Sequence, residues 1–133
     1  MTDKELLLKD LCARLPCGVF VKDTYNGHYG RMYKISQGRI YYVSELNCNY
    51  LEGQPHYIEP YLRPMSDMTK EERMILLKYG SVGMDENDKV FDVYPFGMER
   101  NMAVVDFLNE HHFDYRGLIE KGLALEAPEV MYK

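Results

Sequence analysis

The sequence predicts an α+β fold: an N-terminal helix, a small antiparallel sheet, then C-terminal helices packed on it. Three observations predict it. Leu7, Leu8, Leu11 and Leu15 recur at three- and four-residue spacing. Asn26-Gly27 and Gln37-Gly38 punctuate a stretch rich in Tyr, Val and Ile. Thr69 followed three residues later by Glu72 has the spacing of a helix-capping box. At 133 residues the chain has the length of one domain, 1–133, divided into a helix plus meander (1–62) and a helical half (63–133).

The first helix is capped by Thr2 or Asp3 and carries Glu5 in its first turn. Pro16 biases Leu15 away from helical geometry and ends the element. Three strands follow near 18–24, 29–36 and 39–44, joined by the two Gly-containing turns. "NCNYLEGQP" (47–55) reads as a loop, and "HYIEPYL" (56–62) as a fourth strand whose Pro60 restricts it to an edge or a bulge. A helix followed by a short, strongly turned meander suggests a partly open barrel of the SH3-like or Sm-like kind.

After Thr69, "KEERMILLKYG" reads as a helix stopped by Gly80. Residues 81–98 are broken by Gly, Asp, Asn and Pro and read as a long loop with a short extended piece at 90–94. A helix over 99–111 places Ala103, Val104, Phe107, Leu108 and His111 on one face. Asp114 then caps a last short helix through "YRGLIEK", closed by Gly122.

Charge is unevenly distributed. Residues 1–62 carry seven Lys/Arg and seven Asp/Glu, whereas 63–133 carry nine and fourteen, so the whole net charge of −5 lies in the second half. The opening "MTDKELLLKD" sets charges on both sides of three leucines and is no signal-peptide core. No later run approaches the roughly 20 apolar residues of a membrane span. Cys12, Cys17 and Cys48 are odd in number and follow no CxxC spacing, so they read as free thiols in a reducing cytoplasm. Twelve Tyr and nine Met, residue types suited to adaptable contacts, stand beside a complete lack of Trp.

Enzyme signatures fail one by one. "DENDKVFD" (85–92) starts like a calcium loop, but Lys89 takes a ligand place and Val90 the place of the required Gly. There is no GxSxG elbow, and "YNGHYGRM" lacks the Lys and the following helix of a phosphate loop. His111 and His112 point about 100° apart on a helix, a poor arrangement for one ion, although His111 and Asp114 are spaced to meet. Neither catalytic nor metal-ligating residues emerge, and no cofactor is expected.

Two constellations remain as binding candidates. On the meander, Arg14, Lys22, Arg31, Lys34 and Arg39 face only Asp23 and are interleaved with Tyr25, Tyr29, Tyr33, Tyr41 and Tyr42. Basic groups meet phosphates and aromatic faces stack bases, a combination small barrels use on single strands. The second is the corner "HHFDYRG", which gathers His111, His112, Tyr115 and Arg116 but reads mainly as a structural corner capped by Asp114.

"KDLCARLPCGV", "PYLRPMSDMTKEE" and the closing "HHFDYRGLIEKGLALEAP" together resemble a set of small uncharacterised proteins encoded by prophages and mobile elements of gut bacteria. The likeness spans most of the chain and is weakest over 81–98. It implies a phage or mobile-element context and carries over no catalytic residue. The expectation is therefore a non-enzymatic cytoplasmic accessory protein that contacts another protein. The alternative is a weak nucleic-acid-binding module that uses Arg31, Lys34, Arg39, Tyr29, Tyr33 and Tyr41.

Overall fold

The computed structural model describes residues 2–78, 82–84, 90–92 and 98–132. Helix α1 (Asp3–Arg14) begins with a complete capping box: Glu5 N–H donates to Thr2 Oγ1 (3.1 Å) and Thr2 N–H donates to Glu5 Oε2 (3.2 Å). The pair satisfies two otherwise orphaned donors, so Thr2 rather than Asp3 is the cap. The α-helix stops at Arg14, and Pro16 lies in a 3-10 turn, Leu15–Cys17, released by Gly18 at φ 66°.

Strands β1 (Phe20–Asp23), β2 (Tyr29–Ser36) and β3 (Arg39–Ser44) form the expected antiparallel meander. Gln37 and Gly38 both adopt positive φ (52° and 74°), the geometry that matches a two-residue hairpin turn to strand twist. The segment 47–55, read as a loop, contains a strand, β4 (Tyr50–Gly53), paired with β3. Four residues ending in Gly carry too little alternation to be seen alone; pairing with β3 makes the strand.

Strand β5 (Ile58–Leu62) is shorter than the 56–62 expected, because Pro55–Tyr57 forms a 3-10 turn. It pairs with β1, not β4, and the two-residue strand β8 (Leu125–Glu126) adds parallel to it. The order β4-β3-β2-β1-β5-β8 is an open sheet, so the SH3-like or Sm-like closure does not form. Later strands extend the sheet beyond β1 instead of returning to β4. Pro60 pairs opposite Val21, while β8 reaches only Tyr61 and Leu62; the missing N–H faces a side with no ladder partner.

One sheet face is apolar. Val21, Met32, Ile40, Tyr42, Ile58 and Leu62 pack against Leu7 and Leu11 of α1 and against Leu118 and Ala124. Each such fully buried aliphatic side chain contributes about 1.5–3 kcal/mol. Helices α2 (Lys70–Lys78) and α3 (Met98–Glu110) build a second cluster with Met68 and Phe113, through Leu76, Val104, Phe107 and Leu108. The expected Thr69–Glu72 capping box is present in both directions. Strands β6 (Val82–Met84) and β7 (Val90–Asp92), the second within the extended piece expected at 90–94, pair within the stretch otherwise read as a loop. The Gly80 stop and residues 85–89 and 93–97 lie outside the described residues.

Residues 114–122 form successive turns rather than the short helix expected after Asp114, with Gly117 and Gly122 at φ 73° and 74°. Left-handed glycines at both places interrupt helical hydrogen bonding.

Candidate interaction face

Strand alternation divides the meander side chains between two faces. Tyr42 goes inward to the core, whereas Tyr29, Arg31, Tyr33, Lys34, Arg39 and Tyr41 all go outward. A bulge makes this possible: Met32 pairs with Tyr42 and Lys34 with Tyr41, leaving Tyr33 as the extra residue. Tyr33 and Lys34, adjacent in sequence, therefore both face solvent. Tyr33 lies 6.4 Å from the Tyr41 ring and meets Tyr50 edge-on at 5.8 Å and 88°.

The register adds residues that the sequence does not mark. Arg31 stands between Phe20 on β1 and Val43 on β3, and Val43 in turn pairs with Tyr50 on β4. Tyr50, in a segment that the sequence reads as a loop, is 75% exposed at the rim of this face. Tyr29 pairs with Lys22, which stands opposite Glu59. By contrast, Arg14 leaves the set: it lies in α1 and is fully buried. Tyr25 sits at the β1–β2 turn, its ring 5.2 Å from Tyr57.

Electrostatically the face is mixed. Arg39 pairs with Glu52 at 3.0 Å, and Glu52 also receives the Tyr41 hydroxyl, which pushes that phenol's pKa upward. The Arg31 guanidinium lies over the Phe20 ring (4.7 Å) and the Lys34 ammonium over Tyr41 (5.0 Å). Exposed cation–π contacts of this kind contribute about 0.5–1 kcal/mol and hold the cations on an aromatic floor.

The corner set does not join this face. Asp114 accepts from Leu118 N–H (2.8 Å) and Ile119 N–H (3.0 Å), so it organises the turns that follow. Tyr115 and Arg116 belong to a polar network under α1. Arg14 Nε donates to Asp10 (2.8 Å) and its Nη2 donates to the Phe113 carbonyl (2.6 Å). Arg116 donates to the other Asp10 oxygen (2.9 Å) and to the Tyr115 hydroxyl (2.7 Å), which donates to Asn109. Asp10 thus holds two guanidiniums, pinning the corner to the first helix. Burial of charge is tolerable only with such pairing.

His112 is also structural. It is buried in left-handed backbone (φ 64°) and stacks on Tyr132 at 3.7 Å and 18°. Burial, then the nearby Arg14 and Arg31 charges, lower its pKa to about 4, so it stays neutral near pH 7. The Tyr132 hydroxyl accepts from Phe20 N–H (2.9 Å) and donates to the Tyr61 carbonyl (2.7 Å). It bridges the place where β1 and β5 would form their next rung. No feature of the sequence marked Tyr132 for this role.

His111 alone of the corner set lines an open cleft of about 670 Å³, with Arg63, Asp67, Thr69, Glu72, Glu126–Glu129 and Tyr132. Arg63 forks onto both Glu72 oxygens (2.9 and 2.8 Å). Burial works to raise the Glu72 pKa, but the Arg63 and Thr69 hydrogen bonds outweigh it and hold the carboxyl down at about 2. His111 Nδ1 lies 3.4 Å from Glu72 Oε2.

Among the described residues no three His, Cys, Asp or Glu side chains converge as a metal-ligand set, and Cys12, Cys17 and Cys48 stand unpaired. No helix among those residues is long and apolar enough to cross a membrane. Comparison of the chain with protein-family models, curated proteins and solved structures gives no match.

Proposed function

We propose that the protein is a non-catalytic cytoplasmic accessory protein of a phage or mobile element, and that it docks another protein on the outer face of its sheet. One observation carries this reading: Phe20, Tyr33, Tyr41 and Tyr50 share a solvent-facing surface with Arg31 and Lys34. Tyr and Arg concentrate binding energy at protein interfaces because they offer large contact area with a polar handle. The charges favour a protein over a phosphate backbone. Glu52 neutralises Arg39, and Glu59 stands opposite Lys22. The cations that remain rest on the ring faces a nucleobase would need.

Site-specific photo-crosslinking tests the reading. With p-benzoylphenylalanine in place of Tyr50, host cells should yield a protein adduct that survives nuclease. The same group in place of Met74, exposed on α2, should not yield it. Adducts that vanish with nuclease, or that form only at Met74, would contradict the proposal.

The same aromatic–basic surface supports a second reading, single-stranded nucleic-acid binding, since flat sheet faces stack bases in this way. That reading requires affinity to fall with salt, by a slope of about −0.7 per phosphate contact.

A further inference from the structure

We propose that the partner presents an acidic extended segment, whose carboxylates meet Arg31 and Lys34 while an apolar side chain on the same side of the segment packs on Tyr33 and Tyr50. This rests on the outer face being a protein-docking surface and adds the chemistry of what docks. Of the four cations on the face, Arg39 is taken by Glu52 and Lys22 stands opposite Glu59. Arg31 and Lys34 have no carboxylate at ion-pair distance among the described residues. The unbalanced positive charge is therefore confined to a central strip along β2, bordered by a carboxylate on each side.

The strip is also pre-organised. Arg31 is held over Phe20 at 4.7 Å and Lys34 over Tyr41 at 5.0 Å, so less side-chain freedom is lost when an anion arrives. At roughly 3.3 Å per strand residue, less the shortening at the bulge, the Cα atoms of Arg31 and Lys34 lie about 7–10 Å apart. Same-side residues of an extended peptide repeat about every 7 Å, so carboxylates two residues apart span the pair and the next residue on that side carries the apolar group. Tyr33, Tyr50 and Val43 supply the apolar contact beside them. A nucleic-acid strand fits less well, because a continuous run of phosphates leaving the strip passes Glu52 or Glu59.

Fluorescence anisotropy tests this with a labelled ten-residue peptide that carries Glu, Glu and Leu in turn at every second position and Ser between them, against the same peptide with Lys for Glu and a ten-nucleotide oligouridine. The Glu peptide should bind best, and more weakly as salt rises. Arg31→Ala with Lys34→Ala should weaken it at least tenfold, whereas Lys70→Ala with Lys121→Ala, exposed cations off the face, should not. Arg31→Glu with Lys34→Glu should reverse the preference to the Lys peptide, with far-UV circular dichroism unchanged.

Absence of Glu-peptide binding below about 1 mM would overturn the inference. So would indifference to the double substitution, or tighter binding of the oligouridine. If crosslinking at position 50 still captures a protein while the acidic peptide fails, this inference falls and the docking reading stands.

Discussion

Replacing Tyr132 by Phe removes one oxygen and keeps the ring that stacks on His112. That oxygen closes the seam between β1 and β5, accepting from Phe20 N–H at 2.9 Å and donating to Tyr61 C=O at 2.7 Å. Without it, two partly buried backbone groups lose their partners. An unsatisfied buried group costs about 1–3 kcal/mol, and the strands can draw together to recover part of that, so the expected loss is about 2–4 kcal/mol. Urea unfolding followed by circular dichroism measures the total, and amide hydrogen exchange at Phe20 locates it. Faster exchange at Phe20 should accompany the loss of stability. A change below about 0.5 kcal/mol, with the Phe20 amide as protected as before, would refute the idea that this hydroxyl completes the ladder.

Three further outcomes follow from the corner. Asp10→Ala leaves the buried Arg14 guanidinium without its carboxylate and should cost about 3–5 kcal/mol in urea unfolding, more than Arg116→Ala, which leaves the Asp10–Arg14 pair intact. Asp114→Ala removes the acceptor of two backbone N–H groups and should cost about 2–3 kcal/mol by thermal or urea unfolding. His112 titrates near 4 when folded but at 6.5 when unfolded, so the unfolded chain takes up its proton first as pH falls. Its contribution is complete above pH 6.5 and is lost as pH drops towards 4. His112→Asn, which tolerates the left-handed backbone, should flatten stability against pH in that window.

The first half of the fold was largely legible because its signals are local. Leucine spacing and Thr2 mark α1, and Gly27 and Gly38 mark the turns of the meander. What escaped depends on partners distant in sequence. Tyr50–Gly53 becomes a strand only beside β3, and β5 leaves the meander to pair with β1. The two-residue β8 has no pattern of its own. The binding set was partly legible, since odd-numbered positions 29, 31, 39 and 41 share one side of the hairpin. That parity alone would have sent Tyr42 inward. The bulge at Tyr33, which turns Lys34 back to the same side, has no sequence signature here. At the corner, Asp114 marks a structural turn in the sequence, and the chain turns so sharply there that the adjacent polar residues part. His112 stacks on Tyr132, Arg116 reaches back to Asp10, and His111 faces the cleft.

The most direct test of the outer sheet face as the docking surface is comparative affinity capture from cells of the host. The bait would be the wild-type protein, Tyr33→Ser with Tyr50→Ser, or His111→Ala, each eluted after nuclease treatment. A specific protein retained by wild type and by His111→Ala, but lost from the double tyrosine variant, is the predicted result. Equal retention by all three, or loss only with His111→Ala, would contradict the account and move the site to the cleft beside Glu72.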